Sequence, residues 1–144
     1  MVGRRRASRE VALRALYQID VGKMTPEEAL DSSAAESHYR EETLRFAREL
    51  VLGCVQHRAP IDETIARHAR GWTLSRMAHI DRNVLRLAVF EILYRPDVPH
   101  SVAVDEAVEL AKKYSTAESG RFVNGVLGSL VRTVEGEQTE ATEP

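Results

Sequence analysis

The chain has 144 residues, a formal net charge of −2 and a single cysteine. Such a length holds one domain or two small packed subdomains and buries about 68–70% of the unfolded surface, so a core forms without staples. One cysteine excludes an internal disulfide, no apolar run approaches bilayer length, and the basic start leads into an amphipathic pattern; a soluble cytoplasmic protein is expected.

Met1 to Arg6 reads as poorly ordered on its own, and a helical period takes over from Ala7 to about Val21. The small net charge hides an asymmetry that begins here. Residues 1–23 carry Arg4, Arg5, Arg6, Arg9, Arg14 and Lys23 against Glu10 and Asp20, a balance of +4. A basic run is commonly a solvated terminus. Arg5 and Arg9, however, share a face at a helix start, where positive charge opposes the macrodipole. That placement points to an external anion such as phosphate.

Thr25-Pro26-Glu27-Glu28 reads as a capping box with proline at the first helical position, opening a short helix. A longer helix follows from about Tyr39 to Gln56, with Leu44, Ala47, Leu50 or Val51, and Cys54 or Val55 inward. Pro60 marks a break before a helix from Ile61 to about Ala69. The segment 71–78 reads as a loop and single turn in which Trp72 covers a seam between two halves.

His79 to Arg95 is the organising stretch. Val84, Leu85, Leu87, Ala88, Val89, Ile92 and Leu93 place apolar groups nearly all round a 3.6-residue helix, which therefore should be enclosed on several sides. Asp81 is a candidate N-cap before Arg82, and Pro96 ends the helix. Beyond the turn 96–99, a helix is expected from about Val102 to Tyr114, with Asp105, Glu106 and Glu109 as an acidic patch that is solvated or faces a basic partner.

Ser115-Thr116-Ala117-Glu118 reads as a second capping box, opening a last helix to about Val134; the acidic segment 135–144 is expected to be disordered. Gly125 and Gly128 inside that helix suggest close packing against the central rod, and Asn124 a structural hydrogen bond. Phe122 is either a core aromatic or, with Tyr114 and Arg121, part of a surface where unpaired bases stack. With no alternating strand pattern, the chain reads as all-α: two small helical subdomains, about 1–58 and 59–134, around a central buried helix.

Four runs in order, SREVALRALYQID, VLRLAVFEIL, VAVDEAVELAKKYS and FVNGVLGSL, resemble the bacterial transcription antitermination factors of the NusB family. The likeness extends from about Arg4 to Val134. It implies an all-helical fold of two subdomains that binds boxA RNA together with the ribosomal small-subunit protein NusE. Other Nus factors and RNA polymerase are then engaged indirectly. By the same resemblance, Arg4, Arg5, Arg6, Arg9, Tyr114, Glu118, Arg121 and Phe122 would contact RNA, while Asp81 and Arg82 would meet the partner protein. Glutamate stands at 118 where relatives commonly carry aspartate. Some relatives form homodimers, and the sequence leaves that state open.

Enzyme readings find little support, and neither a cofactor nor a metal is expected. Gly120 and Gly125 have phosphate-loop spacing, but Val126 and Leu127 stand where lysine and serine or threonine are required. Cys54 and His57 are three apart without a second ligand pair, which reads as a buried thiol beside a surface imidazole. The competing function is a helical protein-interaction adaptor without sequence-specific RNA binding.

Overall fold

Every residue from Asn83 through Ile92 is buried, so the central helix is enclosed as its apolar pattern requires. The computed structural model describes the backbone of residues 2–142 and the side chains of residues 5–136. It contains α1 (Val2–Asp20), α2 (Pro26–Ala34), α3 (Glu41–Gln56), α4 (Arg58–His68), a 3-10 turn (Leu74–Arg76), α5 (His79–Tyr94), α6 (His100–Tyr114) and α7 (Ala117–Thr142). No strand occurs among the described residues. The first three helices pack on one another, α6 packs along α7, and α5 touches α1, α3, α4, α6 and α7.

Local chemistry sets most boundaries. Thr25 caps α2 through the Glu28 amide while the Glu28 carboxylate accepts from the Thr25 amide, the expected capping box. Two other starts differ from expectation. α5 opens at His79 with Ala78 at the cap, so Asp81 lies within the first turn. At α7 the cap is Thr116, whose Oγ1 accepts from the Ser119 amide at 3.0 Å; Ser119, not Glu118, holds the third position. Pro60 sits inside the first turn of α4, where a missing amide costs no helical hydrogen bond. Gly71 turns the chain after α4 at φ +80°, and the Trp72 amide donates back to Ala69.

The ends of the chain are more regular than composition suggests. α1 begins at Val2, and the helical backbone of α7 continues beyond Val134 to Thr142. The glycine reading is also corrected. Gly125 is exposed and a Cβ there would meet nothing within 4 Å, while the Asn124 side chain is exposed and makes no hydrogen bond among the described residues. The close approach is elsewhere: a Cβ on Gly53 of α3 would fall 2.1 Å from Cζ of Phe90 on the central helix.

Charged groups finish the core. Asp20 at the end of α1 accepts from Arg82 at 2.6 and 2.9 Å, from Asn83 at 3.0 Å and from Arg86 at 3.2 Å. Arg86 in turn donates to Asp62 of α4 at 2.8 Å. Burial alone would raise the Asp20 carboxyl, but the bonds from Arg82 and Asn83 and the neighbouring guanidinium charges hold it below the usual aspartate range. Burial pushes the Cys54 thiol far up, so it stays protonated, with Sγ 3.7 Å from the Arg86 carbonyl. His57 stacks on Tyr94 with centroids 4.0 Å apart.

Candidate nucleic-acid interface

Successive turns of α1 send their arginines to three different places. Arg5 donates to Asp97 at 3.1 Å and lies with its guanidinium carbon 4.3 Å above the Phe46 ring, which Arg95 also covers. Arg6 is more than half exposed, yet donates to both Glu106 oxygens, at 2.8 Å from Nη2. Arg9 points inward. Its side chain is 2% exposed, and it grips the Glu91 carboxylate through Nε and Nη2 at 2.7–3.1 Å. The expectation that Arg9 meets RNA phosphates is therefore corrected: the guanidinium neutralises buried carboxylates. Glu106 is likewise buried against Arg6 and Arg9, not part of a solvated acidic patch. The side chain of Arg4 lies outside the described residues.

Tyr114, at the end of α6, joins this arginine end through Glu10 of α1. One Glu10 oxygen accepts from the Tyr114 hydroxyl at 3.0 Å and from Lys113 Nζ at 2.5 Å. Burial would raise the Glu10 carboxyl, but these two bonds outweigh it and hold the group below its ordinary value. Burial and the Glu10 charge raise the Tyr114 hydroxyl. Arg6, Arg9, Glu10, Glu106 and Lys113 line a cavity of about 150 Å³ between α1 and α6.

Ser115 and Thr116 turn the chain from this cavity to a second, aromatic cleft of about 400 Å³, lined by Trp72, Arg76, Asp81, Glu118, Ser119 and Phe122 among others. Trp72 is 52% exposed and meets the half-buried Phe122 edge-on, with centroids 5.8 Å apart and planes at 63°. Asp81, 8% exposed, accepts from Ser119 at 3.0 Å through Oδ2, whereas its buried Oδ1 has no hydrogen-bond partner among the described residues. Arg76 in the cleft and Arg121 on α7 are exposed and make no ion pair among the described residues.

Arg82 is also a correction. Its side chain is 12% exposed and donates to Asp20, the Leu74 carbonyl and His79, so it braces α5 instead of facing a partner. The expected residues thus form two adjoining clusters: Arg6 with Tyr114, and Glu118 with Phe122 and Asp81. Sequence reasoning placed Trp72 at the seam without assigning it to the site, and missed Arg76. A tryptophan and arginines in the short segment between two amphipathic helices were the available signal.

Fold and clefts together define an all-α protein of packed helices with an aromatic surface cleft that Arg76 lines. The NusB family model matches residues 6–132, and the chain belongs to that family. It is 50% identical over 140 residues to the transcription antitermination protein NusB of Symbiobacterium thermophilum, covering 92% of each chain. It is 52% identical over 130 residues to that of Myxococcus xanthus, covering 88% of this chain and 93% of that one. Among solved structures, T. maritima NusB superposes with a TM-score of 0.83 at 36% identity, covering 89% of this chain and 90% of that one. A complex of antitermination factors NusB and NusE with dsRNA matches at a TM-score of 0.86 and 29% identity, covering 92% of this chain and 99% of that one.

Proposed function

We propose that this chain is a transcription antitermination factor that binds boxA-type single-stranded RNA together with NusE, in the cytoplasm and without catalysing a reaction. Other Nus factors and RNA polymerase are engaged through that assembly. The observation that carries this reading is the Trp72–Phe122 pair lining a cleft together with Arg76, with Arg121 next to Phe122 in sequence on α7. An exposed indole packed on a half-buried phenyl ring beside exposed guanidiniums suits splayed bases on a phosphate backbone. Asp81 lines the same cleft, with its carboxylate held by Ser119 through Oδ2. Arg5, Arg6 and Tyr114 extend the track toward α1, and Glu118 lines its near wall.

Relatives named as antitermination proteins support the role, and the solved NusB–NusE complex with dsRNA supports the pairing with NusE and RNA. The working unit is residues 1–134, with subdomains meeting near residue 58 and the acidic segment 135–144 appended. The test is titration of a boxA oligonucleotide, a scrambled strand and a duplex, with and without NusE, across a salt series. Preference for the boxA strand is expected. Its log-affinity against log-salt slope should be about −2 to −3, from three or four phosphates at roughly −0.7 each. Equal binding of boxA and scrambled RNA under both conditions, or a flat salt response, favours the adaptor instead.

A further inference from the structure

Lys113 stands apart from the other paired cations at the arginine end. Arg6 is held by Glu106, which is 5% exposed and gripped by two guanidiniums, and Arg9 is sealed inside. Lys113 is 61% exposed, on the last turn of α6, and pairs with the Glu10 carboxylate, whose side chain is 21% exposed. An exposed pair on a flexible four-carbon stem contributes little to stability and exchanges readily. The Glu10 oxygen that meets Lys113 also accepts from the Tyr114 hydroxyl, and Arg14 acts on the same carboxylate. Glu10 therefore keeps a donor and a nearby positive charge when the ammonium leaves.

Resting on the RNA reading above, we infer that Lys113 is a further phosphate-contacting cation of this surface, masked by Glu10, and that RNA binding exchanges the Glu10 carboxylate for a backbone phosphate. The exchange moves one ammonium by rotations of its own side chain. Neither helix shifts, and the released counterions favour it when the incoming group belongs to a polyanion. The Lys113–Glu10 pair joins the Arg6 cavity to Tyr114, so an unmasked Lys113 bridges the two clusters of the interface.

The experiment uses the full chain and a short single-stranded RNA carrying boxA, titrated by fluorescence anisotropy over a salt series. Glu10→Gln removes the charge while leaving an oxygen to accept from Tyr114. Glu109→Gln is the charge-matched control, because Glu109 is 60% exposed and meets Lys112 only at 3.7 Å. Glu10→Gln should bind several-fold tighter than Glu109→Gln at low salt with close to the wild-type slope, because Lys113 meets a phosphate in both chains and only the cost of leaving Glu10 is removed. Adding Lys113→Gln to Glu10→Gln should make the slope shallower by about 0.7. Equal responses of the two glutamate variants, or a slope indifferent to Lys113 in the double variant, overturn the mask while leaving the RNA reading intact. A wild-type chain that binds no RNA overturns both. If Glu10→Gln loses its helical circular dichroism, Lys113→Gln alone decides: an unchanged wild-type slope overturns the mask and a shallower one supports it.

Discussion

The guanidinium of Arg9 and the carboxylate of Glu91 meet at 2.7 Å with side-chain exposures of 2% and 1%, so a full ion pair lies inside the helical core. Removing one member leaves the other charge buried and unpaired, a loss of about 3–5 kcal/mol. Arg9→Ala should therefore lower the free energy of unfolding by that amount in urea titrations. Its folded fraction should show an RNA salt slope equal to the wild type. A shallower slope would return Arg9 to the interface.

Gly53 and Gly125 should respond oppositely to alanine. At Gly53 the added Cβ would fall 2.1 Å from Phe90 Cζ, and the ring is itself stacked near Tyr94 with centroids 5.7 Å apart. It cannot yield without repacking, so Gly53→Ala should cost about 1–3 kcal/mol. At Gly125 the space is open, and replacing a mid-helix glycine should gain about 0.5–1 kcal/mol. Thermal melts of the two variants check the pair, and a destabilised Gly125→Ala would refute the open surface.

These contrasts mark how far the sequence was legible. The apolar period of the central helix announced its enclosure, and Val84, Leu85, Leu87, Ala88, Val89 and Ile92 are all buried, although Leu93 is 37% exposed. Hydrophobic pattern says nothing, however, about charges that neutralise one another out of water. Nothing local marks Arg9, Arg86, Glu91 and Glu106 as buried until α1, α5 and α6 are brought together. Pairs separated by 82 and 100 positions leave no local signal. The aromatic cleft was hidden for a related reason: Trp72 and Phe122 lie far apart in sequence and meet edge to face only in the fold.

Acid should weaken the fold partly through Asp20. Its folded carboxyl is held below the ordinary value, so its contribution is complete above the unfolded pKa and fades as pH falls through the lower folded one. The fading begins near the ordinary aspartate value of about 3.9 and continues below it. Asp20→Asn keeps an oxygen for Asn83 but leaves Arg82 without its carboxylate. The variant should be less stable at neutral pH by about 3 kcal/mol, and the gap should close as pH drops. Urea midpoints for both chains over an acid series test this; a gap that stays constant to low pH would assign the defect to shape, not charge.

Ring and guanidinium contributions to the interface should separate cleanly in RNA binding. Trp72 and Phe122 present apolar faces, so alanine at either should cost about 1–3 kcal/mol per stacked base and leave the salt slope alone. Because each base stacks in its own sequence context, Phe122→Ala should also erode the preference for boxA over a scrambled strand. Arg76 and Arg121 make no ion pair among the described residues, so their charge is available at no exchange cost. Alanine at either should make the slope shallower by about 0.7 and weaken both strands alike. Anisotropy titrations of the four variants against the two strands supply the comparison. Loss of slope without loss of preference in Phe122→Ala would mean that the ring packs the cleft wall and leaves the bases to other groups.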